Sequence, residues 1–249
     1  MKKFLILLLI FSNCNLSSCG KNANNNDLKK ENLKGNIISV KKSLYKVTEK
    51  FGEPVKGEED CFDLDVCEVV TKYNDLGNEI EFSEYNSYGI SFITKVKYNE
   101  KNQKIEQNRY TPVEGKRVMQ FKLKYDLNGN CIEESSDAGY MVKREYDENN
   151  NLKKELIKDW QTKEFNETAY FYNEKNELIT EKYSQGKTEY TYYDDGNIKD
   201  VINYNKDGSL QTKGSYNYKY DERKNWTAQI AYQNGTPVSY VERIIVYKN

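Results

Sequence analysis

Along most of this chain apolar and polar side chains alternate with a period of two. Met119, Phe121, Leu123 and Tyr125 fall on one face of an extended segment, while Gln120, Lys122 and Lys124 fall on the other. Phe92, Thr94, Val96 and Tyr98 repeat the scheme, as do Tyr216, Tyr218 and Tyr220 set against Ser215, Asn217 and Lys219. A period of two carried by tyrosine and β-branched residues predicts half-buried antiparallel strands.

The strands are punctuated by one recurring phrase: Tyr, then Asp or Asn, two polar residues, Gly or Asn, and another polar residue. Tyr125-Asp126-Leu127-Asn128-Gly129-Asn130 is the fullest copy, and further copies open at Tyr73, Tyr98, Tyr146, Tyr172, Tyr193, Tyr204 and Tyr220. Asp or Asn after the tyrosine can bond backbone groups two residues on. Gly or Asn four positions after it tolerates positive φ, so each copy predicts a tight hairpin turn. Asn102, Asn150 and Asn176 keep that conformation accessible, whereas Lys224 is a departure from the pattern. The expected fold is all-β: one extended, strongly twisted antiparallel sheet of repeated hairpins, partly rolled on its tyrosine-rich face. A tyrosine buries a large ring with its hydroxyl near water, and cross-strand pairs of such rings contribute roughly 0.2–1 kcal/mol each. Lys and Glu on the other face keep it wet and discourage edge-to-edge association.

The N-terminus follows different rules. Lys2 and Lys3 precede an apolar run from Phe4 to Phe11, the layout of a secretory signal too short to span a bilayer stably. Leu16-Ser17-Ser18-Cys19 resembles the lipobox of bacterial lipoproteins, which implies cleavage after residue 18 and lipid on Cys19. The segment 19–36 is Asn- and Lys-rich with little to bury, and composition predicts a flexible tether. The chain therefore divides into a signal at 1–18, a lipidated cysteine and tether at 19–36, and one repeat domain at 37–249. The implied location is the bacterial cell envelope, on the outer membrane where the cell has one.

Composition narrows the chemistry. The chain has 249 residues, 38 Lys+Arg, 39 Asp+Glu, 22 Tyr and no histidine. That excludes a Ser/His/Asp triad, a Cys/His dyad and any His-based metal site. Loss of Lys2 and Lys3 with the signal moves the formal charge from −1 to −3, which gives no field favouring nucleic acid. No cofactor or metal is expected. Cys61 and Cys67 flank a short loop and could pair in an oxidising compartment, leaving Cys131. Asp63 and Asp65 lie between them at the spacing of a short strand's wet side. The Asp126–Asn130 loop has oxygen ligands at alternate positions, but turn chemistry accounts for it. Trp226 follows a turn where packing is the expected role, and Trp160 is the candidate for an exposed ring at a recognition surface.

The turn phrase resembles the YD repeat of Rhs-type proteins. Lys219-Tyr220-Asp221, Asn225-Trp226-Thr227, Asn234-Gly235-Thr236-Pro237 and Val241-Glu242-Arg243-Ile244 are similar to the ending of a large group of bacterial lipoproteins with no established biochemical role. Ile37-Ile38-Ser39-Val40 resembles how those proteins begin. The signal, the tether, the hairpin repeats and the lack of a catalytic constellation predict a membrane-tethered, non-catalytic repeat protein presenting a β surface to an envelope protein or glycan. Two other readings stand beside it: a carboxylate-dependent envelope glycan hydrolase, and an accessory or immunity partner of an Rhs-type toxin.

Overall fold

The computed structural model describes residues 26–61, 66–159 and 161–248. A single helical turn, α1 (Asp27–Lys30), precedes the strands. The first nine are β1 (Ile37–Lys50), β2 (Glu53–Glu59), β3 (Glu68–Tyr73), β4 (Glu79–Asn86), β5 (Gly89–Tyr98), β6 (Lys104–Tyr110), β7 (Arg117–Tyr125), β8 (Cys131–Ser136) and β9 (Met141–Tyr146). The remainder are β10 (Leu152–Lys158), β11 (Phe165–Tyr172), β12 (Leu178–Tyr183), β13 (Gly186–Tyr192), β14 (Ile198–Asn205), β15 (Leu210–Tyr220), β16 (Trp226–Gln233) and β17 (Thr236–Tyr247).

From β3 to β17 each strand pairs antiparallel with the next. β1 then joins the two ends: Leu44 lies opposite Val241 of β17, and Lys42 lies opposite Val69 of β3. β1 together with β3 to β17 makes a closed barrel of sixteen antiparallel strands. This corrects the expectation of an open or partly rolled sheet. Hairpin units reveal no pairing between the first strand and the last, and closure removes both free edges at once. Beyond Tyr45, β1 leaves the ring and pairs with β2 instead, Lys50 opposite Glu53.

The turns form as their chemistry dictates. In the Asp126 turn, Gly129 N donates to Asp126 O (3.2 Å), while Asp126 Oδ1 accepts from Asn130 N (2.8 Å). The residue four after the opening tyrosine takes positive φ at Gly77, Asn102, Gly129, Asn150, Asn176, Gly208 and Lys224. Lys224, the sequence departure, adopts it at 62° all the same, because the flanking bulge of the hairpin demands it. The sixth turn opens at Tyr192 rather than Tyr193. Tyr192 pairs with Ile198, the same six-residue interval as Tyr125 with Cys131, and Tyr193 takes the place of the usual Asp. Asp195 supplies the carboxylate there, accepting from Asn197 N at 3.0 Å. Strand direction puts seven of these turns on one rim of the barrel. The Tyr204 turn, between β14 and β15, lies on the other.

Side chains sort as the alternation predicts. Tyr170, Tyr190 and Tyr216 are buried on the inner face with Leu152, Leu178, Val201 and Ala231. Their neighbours near the turns reach sideways: Tyr125 OH donates to Lys104 O, Tyr146 OH to Cys131 O and Tyr192 OH to Leu178 O, at 2.7 to 2.9 Å. Each bond ties a hairpin to the first residue of the preceding returning strand. The outer wall carries cross-strand ion pairs, among them Lys72–Glu81, Lys97–Glu106, Lys124–Glu133 and Lys154–Glu167 at 2.6 to 2.8 Å.

Residues 26–36, assigned to the tether by composition, dock on the turn rim. Asn26 caps α1 and donates to Leu76 O. Asp27 accepts from Glu79 N and Tyr98 OH, and Leu28 and Leu33 pack with Ile37, Val40 and Tyr73. Glu31 is held by Lys42 (2.9 Å) and Arg243 (3.3 Å), both inward-facing. Across the rim, Asn32 reaches Asp195 O and Lys34 N reaches Asn225 Oδ1. The segment has two apolar anchors and otherwise polar atoms, so its order depends on partners that local composition cannot reveal.

Candidate binding site

At its branch point β1 leaves β3 and β17 and turns to β2. Three backbone bonds hold it: Asp60 N to Leu44 O (3.0 Å), Leu44 N to Cys67 O (2.8 Å) and Cys67 N to Tyr85 O (2.9 Å). Cys61 and Cys67 form the disulfide that the short loop permits, and Cys131 remains a buried thiol. Between these elements lies a cavity of about 430 Å³. Glu59, Glu68, Ser43, Tyr85 and Asn86 line it together with the disulfide. Glu68 is engaged by Lys41 (2.7 Å) and by the Ser43 hydroxyl (2.9 Å), and this bonding raises the Lys41 pKa. The volume falls in the range of small-ligand sites.

Other sites anticipated from sequence resolve differently. The Asp126 carboxylate is occupied by Asn130 N and Nδ2, which is turn chemistry. Trp226 packs against Tyr218 and under the Arg243 guanidinium, 3.5 Å from its ring centre. Cys19, Asp63, Asp65 and Trp160 lie outside the described residues.

The inner face holds polar groups that sequence alone did not single out. Arg144 bridges Glu134 (3.1 Å) and Glu155 (2.8 Å), and Tyr170 OH donates to Glu155 (3.3 Å). Glu181, 9% exposed, sits beside them. Burial pushes its carboxyl up to about 7, the Tyr190 hydroxyl opposes the shift by hydrogen bonding, and the Glu155 charge adds to it. Glu84 pairs with Arg109 at 2.8 Å, and the guanidinium of Arg109 stacks 3.9 Å from Phe92. The alternation places Phe92 and Tyr170 on the inner face. Their acidic and basic neighbours come from other strands, so the clusters had no signal in local sequence. Glu155 is engaged by Arg144 and Tyr170, and Glu181 lies beside the Tyr190 hydroxyl.

No family model matches the chain, and no curated protein matches it. Among solved structures, a porin-like protein from Bacteroides uniformis has 14% identity and a TM-score of 0.53, the match covering 84% of this chain and 97% of that one. A second porin-like protein, from Bacteroides vulgatus, has 12% identity and a TM-score of 0.26, covering 86% and 99%. The TcdB2-TccC3 structure without its hypervariable C-terminal region has 13% identity and a TM-score of 0.36, covering 82% of this chain but 11% of that one. At such identities the first of these likenesses shows a shared fold, an all-antiparallel closed β-barrel.

Proposed function

We propose that this protein is a lipid-anchored, non-catalytic binding module of the bacterial cell envelope, whose barrel stands in water and offers one rim to an envelope protein or glycan. The observation that carries this is the docking of residues 26–36 on the turn rim. It places the chain end that leads back to Cys19 on that side. Only Gly20 to Asn25 separate the lipid position from the docked segment. At roughly 3.3–3.6 Å per residue they reach on the order of 20 Å, so the turn rim faces the bilayer. The opposite rim faces away. There Phe51, Tyr88 and Val113 are 95%, 79% and 92% exposed, on the β1–β2, β4–β5 and β6–β7 connections. The cross-strand ion pairs of the outer wall support the same reading, because they stand among its exposed apolar residues, such as Phe171, Ile244 and Val246, where a membrane-spanning barrel needs an apolar outward band about 25 Å tall. The hydrolase and toxin-partner readings have no comparable observation behind them.

Two measurements test the proposal. Labelling with a radioactive fatty acid should mark the wild-type protein and not Cys19→Ala, which should also leave the membrane fraction. A glycan array and co-purification from envelope extract, run with detergent-purified full chain, should show binding that Tyr88→Ser with Val113→Ser removes. An unlabelled wild-type protein would sink the anchor, and binding indifferent to the rim substitutions would sink the assignment of the surface.

A further inference from the structure

We infer that Lys42 and Arg243, inside the turn rim, form a phosphate-binding site that Glu31 occupies in cis, so that residues 26–36 are a strap displaced when phosphate enters. A lipid source for that phosphate rests on the reading that this rim faces the bilayer; the site itself does not. The closed ring of strands builds the site, with Lys42 of β1 directly opposite Arg243 of β17 in the ladder. Arg243 is 4% exposed, and its guanidinium lies 3.5 Å from the ring centre of Trp226, which fixes the plane of its donors. Two like charges paired across strands repel, and burying both is costly unless an anion lies between them.

Glu31 supplies that anion incompletely. Burial by itself would raise its pKa, yet Lys42 and Arg243 outweigh burial and hold the carboxyl below its usual range. Its Oε2 alone takes both contacts, from Lys42 Nζ at 2.9 Å and Arg243 Nη2 at 3.3 Å. Arg243 Nε is buried with no hydrogen-bond partner among the described residues, and such atoms call for an acceptor. A tetrahedral oxyanion offers a separate oxygen to each of the three donors, one more than a carboxylate has. The strap itself is built to leave. Leu28 and Leu33 are its apolar anchors, while the bonds from Asn26 to Leu76 O and from Asn32 to Asp195 O are exposed. Segments with few buried apolar contacts open before the rest of a fold, and the ring closes through β1 without this one. The same oxyanion is offered by free phosphate and by a phospholipid headgroup.

The test is limited trypsin digestion of the detergent-purified full chain, read at Lys29, Lys30 and Lys34 of the strap. Inorganic phosphate is titrated against sodium chloride of equal ionic strength. Phosphate that binds the open state should speed strap cleavage by on the order of tenfold once it reaches about ten times its dissociation constant. Arg243→Gln should abolish that acceleration. Glu31→Ala should gain melting temperature with phosphate and not with chloride. The same digestion in phosphatidylcholine vesicles with and without phosphatidic acid separates the sources. Acceleration by inorganic phosphate points to the free ion, and acceleration by phosphatidic acid alone points to a headgroup. Cleavage that neither phosphate source accelerates, or acceleration that persists in Arg243→Gln, would overturn the assignment and leave Glu31 in an internal ion pair only. Where Arg243→Gln does not fold, a Glu31→Ala melting temperature indifferent to phosphate overturns it equally. Cys19 labelling is independent of these outcomes: phosphate-dependent cleavage of an unlabelled protein removes the anchor and keeps the site, and the converse removes the site alone.

Discussion

Replacing Glu181 by Gln should make the barrel more stable at pH 8 while leaving it nearly unchanged at pH 4. Glu181 is a carboxyl on the packed inner face with no cationic partner beside it among the described residues, and burial raises its pKa from 4.5 to about 7. The folded state therefore binds this proton more tightly than the unfolded chain does. Its contribution to stability is complete below pH 4.5 and is lost as pH rises through about 7. At about 1.4 kcal/mol per pH unit, the gap between the two values is worth about 3 kcal/mol. Gln keeps the shape and an acceptor for the Tyr190 hydroxyl but has no charge to bury. At pH 8 the variant should gain up to about 3 kcal/mol, or roughly 6–12 °C in Tm for a chain of this size. Glu79 and Glu84 also have burial-raised pKa values, but they cancel in the difference between variant and wild type. Urea unfolding of both proteins followed by circular dichroism at pH 4, 6 and 8 gives the comparison. A gain of equal size at pH 4 and pH 8, or no gain at pH 8, would refute the reasoning.

Three further outcomes follow from the packing. Glu31→Gln strips the counter-charge from Lys42 and Arg243, both deep in the rim, and should cost about 3 kcal/mol. Limited proteolysis should then cut near residues 26–36 at protease levels that spare the wild type. Cys61→Ser with Cys67→Ser opens a loop of sequence separation 6 and should lower stability by about 2 kcal/mol in urea unfolding, as should reductant on the wild type. Lys224→Gly relieves a lysine at φ 62° and should add about 1 kcal/mol, whereas the same change at a residue with ordinary φ should not.

Strand, turn and face were legible from residue order because each rests on contacts only a few residues apart. Alternation put Phe121, Tyr125 and Tyr216 on the apolar face of their strands whatever the strands did next. Asp126 and Gly129 specify their turn through bonds inside six residues. Lys224 shows the limit of that logic: the hairpin register imposed positive φ on a residue that does not favour it. The displaced turn at Tyr192 shows another, since two adjacent tyrosines satisfy the same local pattern and only pairing with Ile198 separates them.

By itself, then, the sequence determined the all-β character, the hairpin unit, the buried tyrosine face and the wet Lys/Glu face, since period and turn chemistry are local properties. Tertiary structure alone decided that β1 meets both β17 and β3, that Asn26 to Asn36 lie on a rim, and that Glu59 and Glu68 converge beside a disulfide. Closure brings together residues about 200 positions apart, and a segment as polar as 26–36 becomes ordered only where buried Lys42 and Arg243 await its single glutamate.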